Sequence, residues 1–109
     1  MSAPFDHIPN YGVRTLTADS DGTSAGFTYA ILIHKVVLLG VAANQVIAEL
    51  YDAVSITGTP KISIQTNPVV LNFTAYASET FDPPVLFNTG LSVDLTGANA
   101  TVKIYFTKL

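Results

Sequence analysis

The stretch QVIAELYDAVSITGTPKISIQTNPVVLNFTAYASETFDPPVLFNTGLSVDL, residues 45–95, decides the fold class. It consists of short runs of Val, Ile, Leu, Phe, Tyr and Thr, each the length of a strand and closed by Gly, Pro, Asn or Asp. Its landmarks are Leu50-Tyr51-Asp52, Gly58-Thr59-Pro60 and Asn88-Thr89-Gly90-Leu91. Short strands separated by turn residues in this way predict an all-β protein.

Apolar and polar residues alternate along most of these runs, and a period of two places successive side chains on opposite faces of a strand. The apolar face of each strand is predicted to face the core. Its members are Val46, Ala48 and Leu50; Ile62 and Ile64; Leu91, Val93 and Leu95; and Val102, Ile104 and Phe106. The last predicted strand, residues 100–107, is expected to be integral to a sheet.

Residues 25–43 form a nearly continuous apolar run that is interrupted by His34 and Lys35. Apolar residues at both odd and even positions predict a strand that is buried on both faces, either against a neighbouring subunit or across a bend. Gly40 is a candidate for such a bulge or bend. The Leu, Ile and Ala content leaves a helix as the alternative.

Turn residues divide the second half of the chain. Residues 78–84 are predicted to form a loop that is stiffened by Pro83 and Pro84, whereas Thr89-Gly90 and residues 97–99 are predicted to be tight hairpin turns. Counted in this way, the chain has about eight strands, as expected for a single antiparallel β-sandwich of jelly-roll type, with an immunoglobulin-like topology as the alternative.

The composition leaves few charges for the surface. Only 12% of the residues are charged, against about a quarter in an average soluble domain, and 49% are hydrophobic. At 109 residues the chain is long enough for one domain with one core. Apolar area is therefore expected to remain on the surface for a partner.

Several partner classes are not expected. The net charge is −3 and the five cations are scattered along the sequence, whereas a nucleic-acid site requires a basic patch. The apolar block at residues 36–43 is shorter than the roughly 20 residues of a membrane span. The absence of cysteine fits folding in a reducing cytoplasm, and the first residues show no signal-peptide pattern.

No group of residues is predicted to be catalytic, to bind a cofactor or to bind a metal. Asp19, Asp21 and Gly22 resemble the start of a calcium loop, but the distal ligands are missing, so a solvated turn is preferred. His34 beside Lys35 lacks a recognisable catalytic partner and is interpreted as a hydrogen-bonded structural residue.

The acidic residues do not indicate catalysis either. Asp52 is predicted to accept hydrogen bonds from local backbone N–H groups, near Ser55 and Thr57. Paired carboxylates for glycoside hydrolysis would have to come from Glu49 and Glu79, and nothing in the sequence specifies that they meet. The chain is therefore predicted not to be an enzyme.

Residues 1–11 contain two prolines and the apolar residues Phe5, Ile8 and Tyr11. Proline prevents a continuous helix, so this segment is predicted to be an extended N-terminal arm that precedes a domain at residues 12–109. One interpretation is a frayed terminus. The other is an arm that docks on a neighbouring subunit through Phe5, Ile8 and Tyr11 and becomes ordered on binding.

The turn and core motifs of residues 36–107 also carry a family resemblance. They are Leu50-Tyr51-Asp52, Gly58-Thr59-Pro60, the run from Phe87 to Ala98 (FNTGLSVDLTGA) and the run from Thr101 to Phe106 (TVKIYF). This series resembles small β-sandwich structural proteins of tailed bacteriophages. Residues 1–24 depart from the pattern.

The resemblance implies a component of the virion, made in the host cytoplasm, and most simply a capsid decoration (cement) protein. Such proteins are often homotrimers that bind the major capsid protein lattice on the outer capsid surface and stabilise the shell. The alternative is a head or tail fibre, or a receptor-binding module, that recognises host glycan through aromatic residues such as Tyr51, Tyr76 and Tyr105.

Overall fold

The computed structural model describes residues 11–20, 27–40, 45–66 and 75–109. Seven β-strands lie in these ranges: β1 Tyr11–Leu16, β2 Ile31–Gly40, β3 Ile47–Tyr51, β4 Ile62–Gln65, β5 Ala75–Phe87, β6 Ser92–Thr96 and β7 Thr101–Lys108. Because β2 occupies the centre of the long apolar run, the helical alternative for that run is wrong.

The strands form two antiparallel sheets. One has four strands in the order β1-β7-β2-β5, and the other has three in the order β4-β3-β6. Buried residues of both sheets form one core cluster, with Ile33 and Ile104 from the first sheet and Leu50 and Val93 from the second. The predicted all-β class is confirmed, and two antiparallel sheets with a shared core are compatible with a β-sandwich.

The alternation of apolar residues correctly predicts the buried face of β3, β4 and β7. Ala48, Leu50, Val102 and Ile104 are all fully buried. Strand β7 has β1 on one side and β2 on the other, so it is integral to the larger sheet as predicted. Ser92, predicted to face outward, is instead buried, and its hydroxyl is satisfied by donating a hydrogen bond to the Ala53 carbonyl at 2.9 Å.

A β-bulge at His34 explains the long apolar run. Ile33 pairs with Phe106 and Lys35 with Tyr105, so His34 is an extra residue relative to β7. Before the bulge the odd positions of β2 are buried, and after it Val36 and Leu38 are fully buried. An extra residue moves the alternation by one position. The bend predicted from the sequence is present, but it lies at His34 and not at Gly40.

Strand β5 corrects the prediction of a loop at residues 78–84. The strand continues through this segment, with Thr80 opposite Lys35 and Val85 opposite Ile33. Residues 81–84 are left out of the register and contain both adjacent prolines. Proline is tolerated here because β5 is an edge strand with a bulge. Two predicted strands are thus one, which reduces the expected eight strands to seven.

The two predicted hairpin turns connect different sheets. Gly90 lies between β5 of the larger sheet and β6 of the smaller one, and Gly97 lies between β6 and β7 of the larger sheet. Neither pair of flanking strands is hydrogen-bonded to the other. These turns therefore carry the chain across the core, and the hairpin predictions are wrong.

Candidate functional site

The outer face of the four-stranded sheet is the side that points away from the core. Strand register places Val13 opposite Tyr105, Tyr105 opposite Lys35, and Lys35 opposite Thr80. These side chains form a row across all four strands. Because the chain neighbours Val36 and Ile104 face the core, the row faces outward.

A cleft opens on this outer face where the bulges of β2 and β5 lie side by side. Its volume is about 420 Å³. We call it the bulge cleft, and its lining residues are Tyr11, His34, Lys35, Thr80, Phe81, Asp82 and Tyr105. They come from β1, β2, β5 and β7, so the cleft depends on the assembled sheet.

His34 is held in place on two sides. Its Nε2 lies 2.6 Å from the hydroxyl oxygen of Thr107, at hydrogen-bond distance. The ring of Tyr11 lies 5.7 Å from the imidazole, centroid to centroid, at a tilt of 44°. The predicted hydrogen bond of His34 is present, with the Thr107 hydroxyl as its partner.

Lys35 and two tyrosines lie close together in the cleft. The Lys35 ammonium lies 5.9 Å from the centroid of the Tyr105 ring, which places a cation over an aromatic face. Burial raises the pKa of Tyr11 above its ordinary value, and the nearby Tyr105 phenol raises it further. The upward shift opposes ionisation of the Tyr11 phenol.

Asp52 forms a second polar cluster, with a structural role. Its Oδ1 accepts the Thr89 N–H at 2.7 Å and its Oδ2 accepts the Asn88 N–H at 3.0 Å. The Lys61 ammonium lies 3.5 Å from Oδ2 and also donates to the Leu86 carbonyl. Asp52 was predicted to accept backbone hydrogen bonds, and it does, but from the distant β5–β6 turn and not from its own loop.

The charge of Asp52 is stabilised by this arrangement. Burial acts to raise the pKa of Asp52, but the backbone N–H groups of Thr89, Asn88 and Gly90, together with Lys61, lower it by more. The net pKa is below the ordinary value of 3.8, because every one of these partners binds the ionised carboxylate.

The predicted arm residues are only partly described. Tyr11 is the first residue of β1, opposite Thr107 of β7, and its ring lines the bulge cleft. Phe5 and Ile8 lie outside the described residues, so their role in partner binding stays a prediction.

The candidate calcium-loop residues are only partly described, and the candidate carboxylate pair is divided between the two sheets. Asp19 accepts the Leu95 N–H at 2.7 Å, while Asp21 and Gly22 lie outside the described ranges. Glu49 is on β3 and Glu79 on β5, in different sheets. Residues 11–20, 27–40, 45–66 and 75–109 include no group of three or more His, Cys, Asp or Glu placed to hold a metal ion.

Within the same ranges no helix is long and apolar enough to span a bilayer.

The sequence did not predict the bulge cleft. Thr80, Phe81 and Asp82 were assigned to a loop, and their position beside His34 depends on how β5 pairs with β2. The adjacent prolines at 83 and 84 were the available signal, since proline inside a strand marks an edge or a bulge.

Comparisons with protein-family models, with characterised proteins and with solved structures found no match to this chain.

Proposed function

We propose that this chain is a non-enzymatic structural protein of a tailed-bacteriophage virion, a capsid decoration protein that binds the major capsid protein lattice on the outer surface and stabilises the shell. It acts as a homotrimer and folds as a jelly roll. The observation that carries the proposal is that three exposed apolar side chains, Val13, Tyr76 and Leu86, lie on the outer face of the four-stranded sheet.

The strand order supports a jelly roll. Outside the named strands, Ser20 and Phe27 each form a bridge to the free edge of β6, opposite Val93 and Leu91. In a jelly roll the eighth strand pairs at this edge, beside the three strands β4-β3-β6. Eight antiparallel strands in two sheets form the jelly roll found in viral capsid and lectin domains.

The outer face supports a protein partner. Val13 is 48% exposed, Leu86 43% and Tyr76 59%, and they lie on β1 and β5, the two edge strands of the larger sheet. Exposed apolar groups that share one sheet face favour an interaction surface over a fully solvated one. Symmetric association of three copies, or contact with a capsid lattice, buries this area.

The position of β1 supports attachment through the N-terminal segment. Tyr11 begins an edge strand, and Phe5 and Ile8 precede it by a few residues. An anchor on this side of the sheet brings the outer face toward the same partner.

The test combines solution mass with capsid binding. Light scattering of the purified chain is expected to give a trimer, and the chain is expected to co-sediment with capsids that lack it. The double variant Val13→Ser with Tyr76→Ser should weaken capsid binding about tenfold or more, as expected for truncated interface anchors. A monomer that does not bind capsids would overturn the proposal.

A matched control uses apolar residues away from the outer face. Val54 and Ile56 are each 38% exposed in the β3–β4 connection. The double variant Val54→Ser with Ile56→Ser removes similar apolar area and should leave capsid binding unchanged. Equal losses in both double variants would contradict a role specific to the outer face.

The second candidate function is a fibre or receptor-binding module that recognises host glycan. The specific observation in its favour is the bulge cleft with its three aromatic rings. Of the tyrosines proposed for stacking, Tyr76 is exposed and Tyr105 lines the cleft, whereas Tyr51 is only 8% exposed and is unsuited to stacking on a sugar.

A further inference from the structure

We propose that the bulge cleft is a binding site for an uncharged saccharide of one or two rings. The inference shares its ligand class with the receptor-binding alternative. Because the cleft opens on the outer face that the decoration proposal buries, a bound sugar and a capsid would compete for the same surface, and each proposal has its own test. The argument rests on the shape of the cleft, its aromatic walls, its balanced charges and its fixed side chains.

The shape of the cleft suits a small ligand. Its volume of about 420 Å³ lies toward the small end of the range of small-molecule sites. The recess exists because the register between β2 and β5 skips His34 on one strand and residues 81–84 on the other. A bulge re-aims side chains beside a sheet edge, so four strands can contribute to one site.

The aromatic walls suit the apolar face of a sugar ring. Tyr11 of β1 and Tyr105 of β7 line the cleft, together with Phe81 of β5, which also packs against the core. The negative face of an aromatic ring attracts the weakly positive C–H groups of a pyranose, while the rest of the sugar remains available for hydrogen bonds. A ligand without apolar C–H groups would make no such contact with these rings.

The charges in the cleft favour a neutral ligand. Lys35 contributes a positive charge and Asp82 a negative one, so the pair is balanced. An anionic ligand would be repelled by Asp82 and a cationic ligand by Lys35. Sugar hydroxyls both donate and accept hydrogen bonds, so they satisfy the ammonium, the carboxylate and the Thr80 hydroxyl together.

Several of these side chains are positioned before any ligand binds. The Thr107 hydroxyl fixes His34 at 2.6 Å, and Tyr11 packs against the imidazole. Ordered side chains reduce the entropy that binding would otherwise cost.

The test is a nuclear magnetic resonance titration of the full chain, labelled with ¹⁵N. The probes are methyl α-glucoside, methyl β-galactoside, N-acetylglucosamine, maltose and cellobiose, with sodium acetate and choline chloride as small charged probes. At least one saccharide is expected to shift the amide signals of Lys35, Thr80 and Tyr105 with saturation in the millimolar range.

Variants locate the site. Asp82 is exposed and Phe81 half-buried in the β5 bulge, so Asp82→Ala and Phe81→Ala should fold, as checked by thermal melting. Each is expected to weaken saccharide binding about tenfold, which corresponds to 1.4 kcal/mol. The controls Asp94→Ala on β6 and Ile56→Ala in the β3–β4 connection make similar changes elsewhere and should bind as the unsubstituted chain does.

The outcomes separate this inference from the proposed function. Absence of any saccharide-induced shift, or binding that persists in both cleft variants, overturns the inference. A response to acetate or choline without a response to sugars shows that the ligand class is wrong. The sugar titration uses the chain alone and co-sedimentation uses capsids, so a failed sugar titration leaves the decoration proposal to its own test.

Discussion

Asp52→Ala tests whether the two sheets are joined by the carboxylate at the end of β3. The substitution removes the acceptor of the Thr89 and Asn88 N–H groups and the ion-pair partner of Lys61. A hydrogen bond to a charged group contributes about 1.5–3 kcal/mol. Water can replace part of this at Asn88 and Thr89, which are exposed, and the Lys61 pair adds at most about 1 kcal/mol because Lys61 is largely solvated.

The expected loss in the free energy of unfolding is about 2–3 kcal/mol for Asp52→Ala and about 1 kcal/mol for Asp52→Asn, which retains one neutral acceptor. Asp82→Asn is the matched control, since Asp82 is exposed and lies on the outer face. It should change stability by less than about 0.5 kcal/mol.

The loss should also depend on pH. Since the pKa of Asp52 is lower in the folded chain than its ordinary value of 3.8, the folded state stabilises the carboxylate. This stabilisation is fully present above the unfolded pKa and is lost as the pH falls through the lowered folded pKa. The difference between the unsubstituted chain and Asp52→Asn should therefore be largest near neutral pH and shrink at acid pH.

Urea denaturation followed by far-ultraviolet circular dichroism, at pH 7 and at several acid pH values, measures these differences. Equal stability of the unsubstituted chain and Asp52→Ala at pH 7 would refute the reasoning. A stability gap for Asp52→Asn that is the same at neutral and acid pH would show that the charge of Asp52 is not what the β5–β6 turn binds.

Two further predictions concern the turns and the β2 bulge. Gly97→Ala should destabilise the fold by more than about 2 kcal/mol in chemical denaturation, because a Cβ there would lie 2.6 Å from the Val46 side chain at a φ of +114°. Gly58→Ala, at a φ of +80° with no atom within 4 Å, should cost only about 1 kcal/mol, and equal losses would contradict the close packing. Leu38→Ala should cost about 2–5 kcal/mol in the same assay and Leu39→Ala about 1 kcal/mol, because the bulge buries Leu38 fully and leaves Leu39 half-buried. A larger loss for Leu39→Ala than for Leu38→Ala would show that Leu39, and not Leu38, faces the core.

The correct predictions share a local cause. Side chains of a strand alternate between faces whatever the strand pairs with, so the sequence alone identified the buried faces of β3, β4 and β7. Turn residues identified most strand ends for the same reason, since the backbone preferences of Gly, Pro, Asn and Asp act within a few residues.

The position of the bulge at His34 could not be predicted from local sequence. The apolar run indicated a strand with a bend, but the residue at which the register shifts depends on the partners β5 and β7. From the sequence, Gly40 was predicted as the position of the bulge because glycine is common at bulges. It lies instead against Val46, where its missing side chain allows close approach.

By itself, the sequence determined the all-β class, the strands' apolar faces and the acceptor role of Asp52. Only the tertiary structure decided that Asp52 binds the turn at Asn88 and Thr89, that the turns at Gly90 and Gly97 cross between sheets, and that the bulges form a cleft. The physical reason is that alternation and turn preference act between neighbours in sequence. Sheet membership, register and the meeting of two bulges depend on hydrogen bonds and packing between residues that are far apart in the chain.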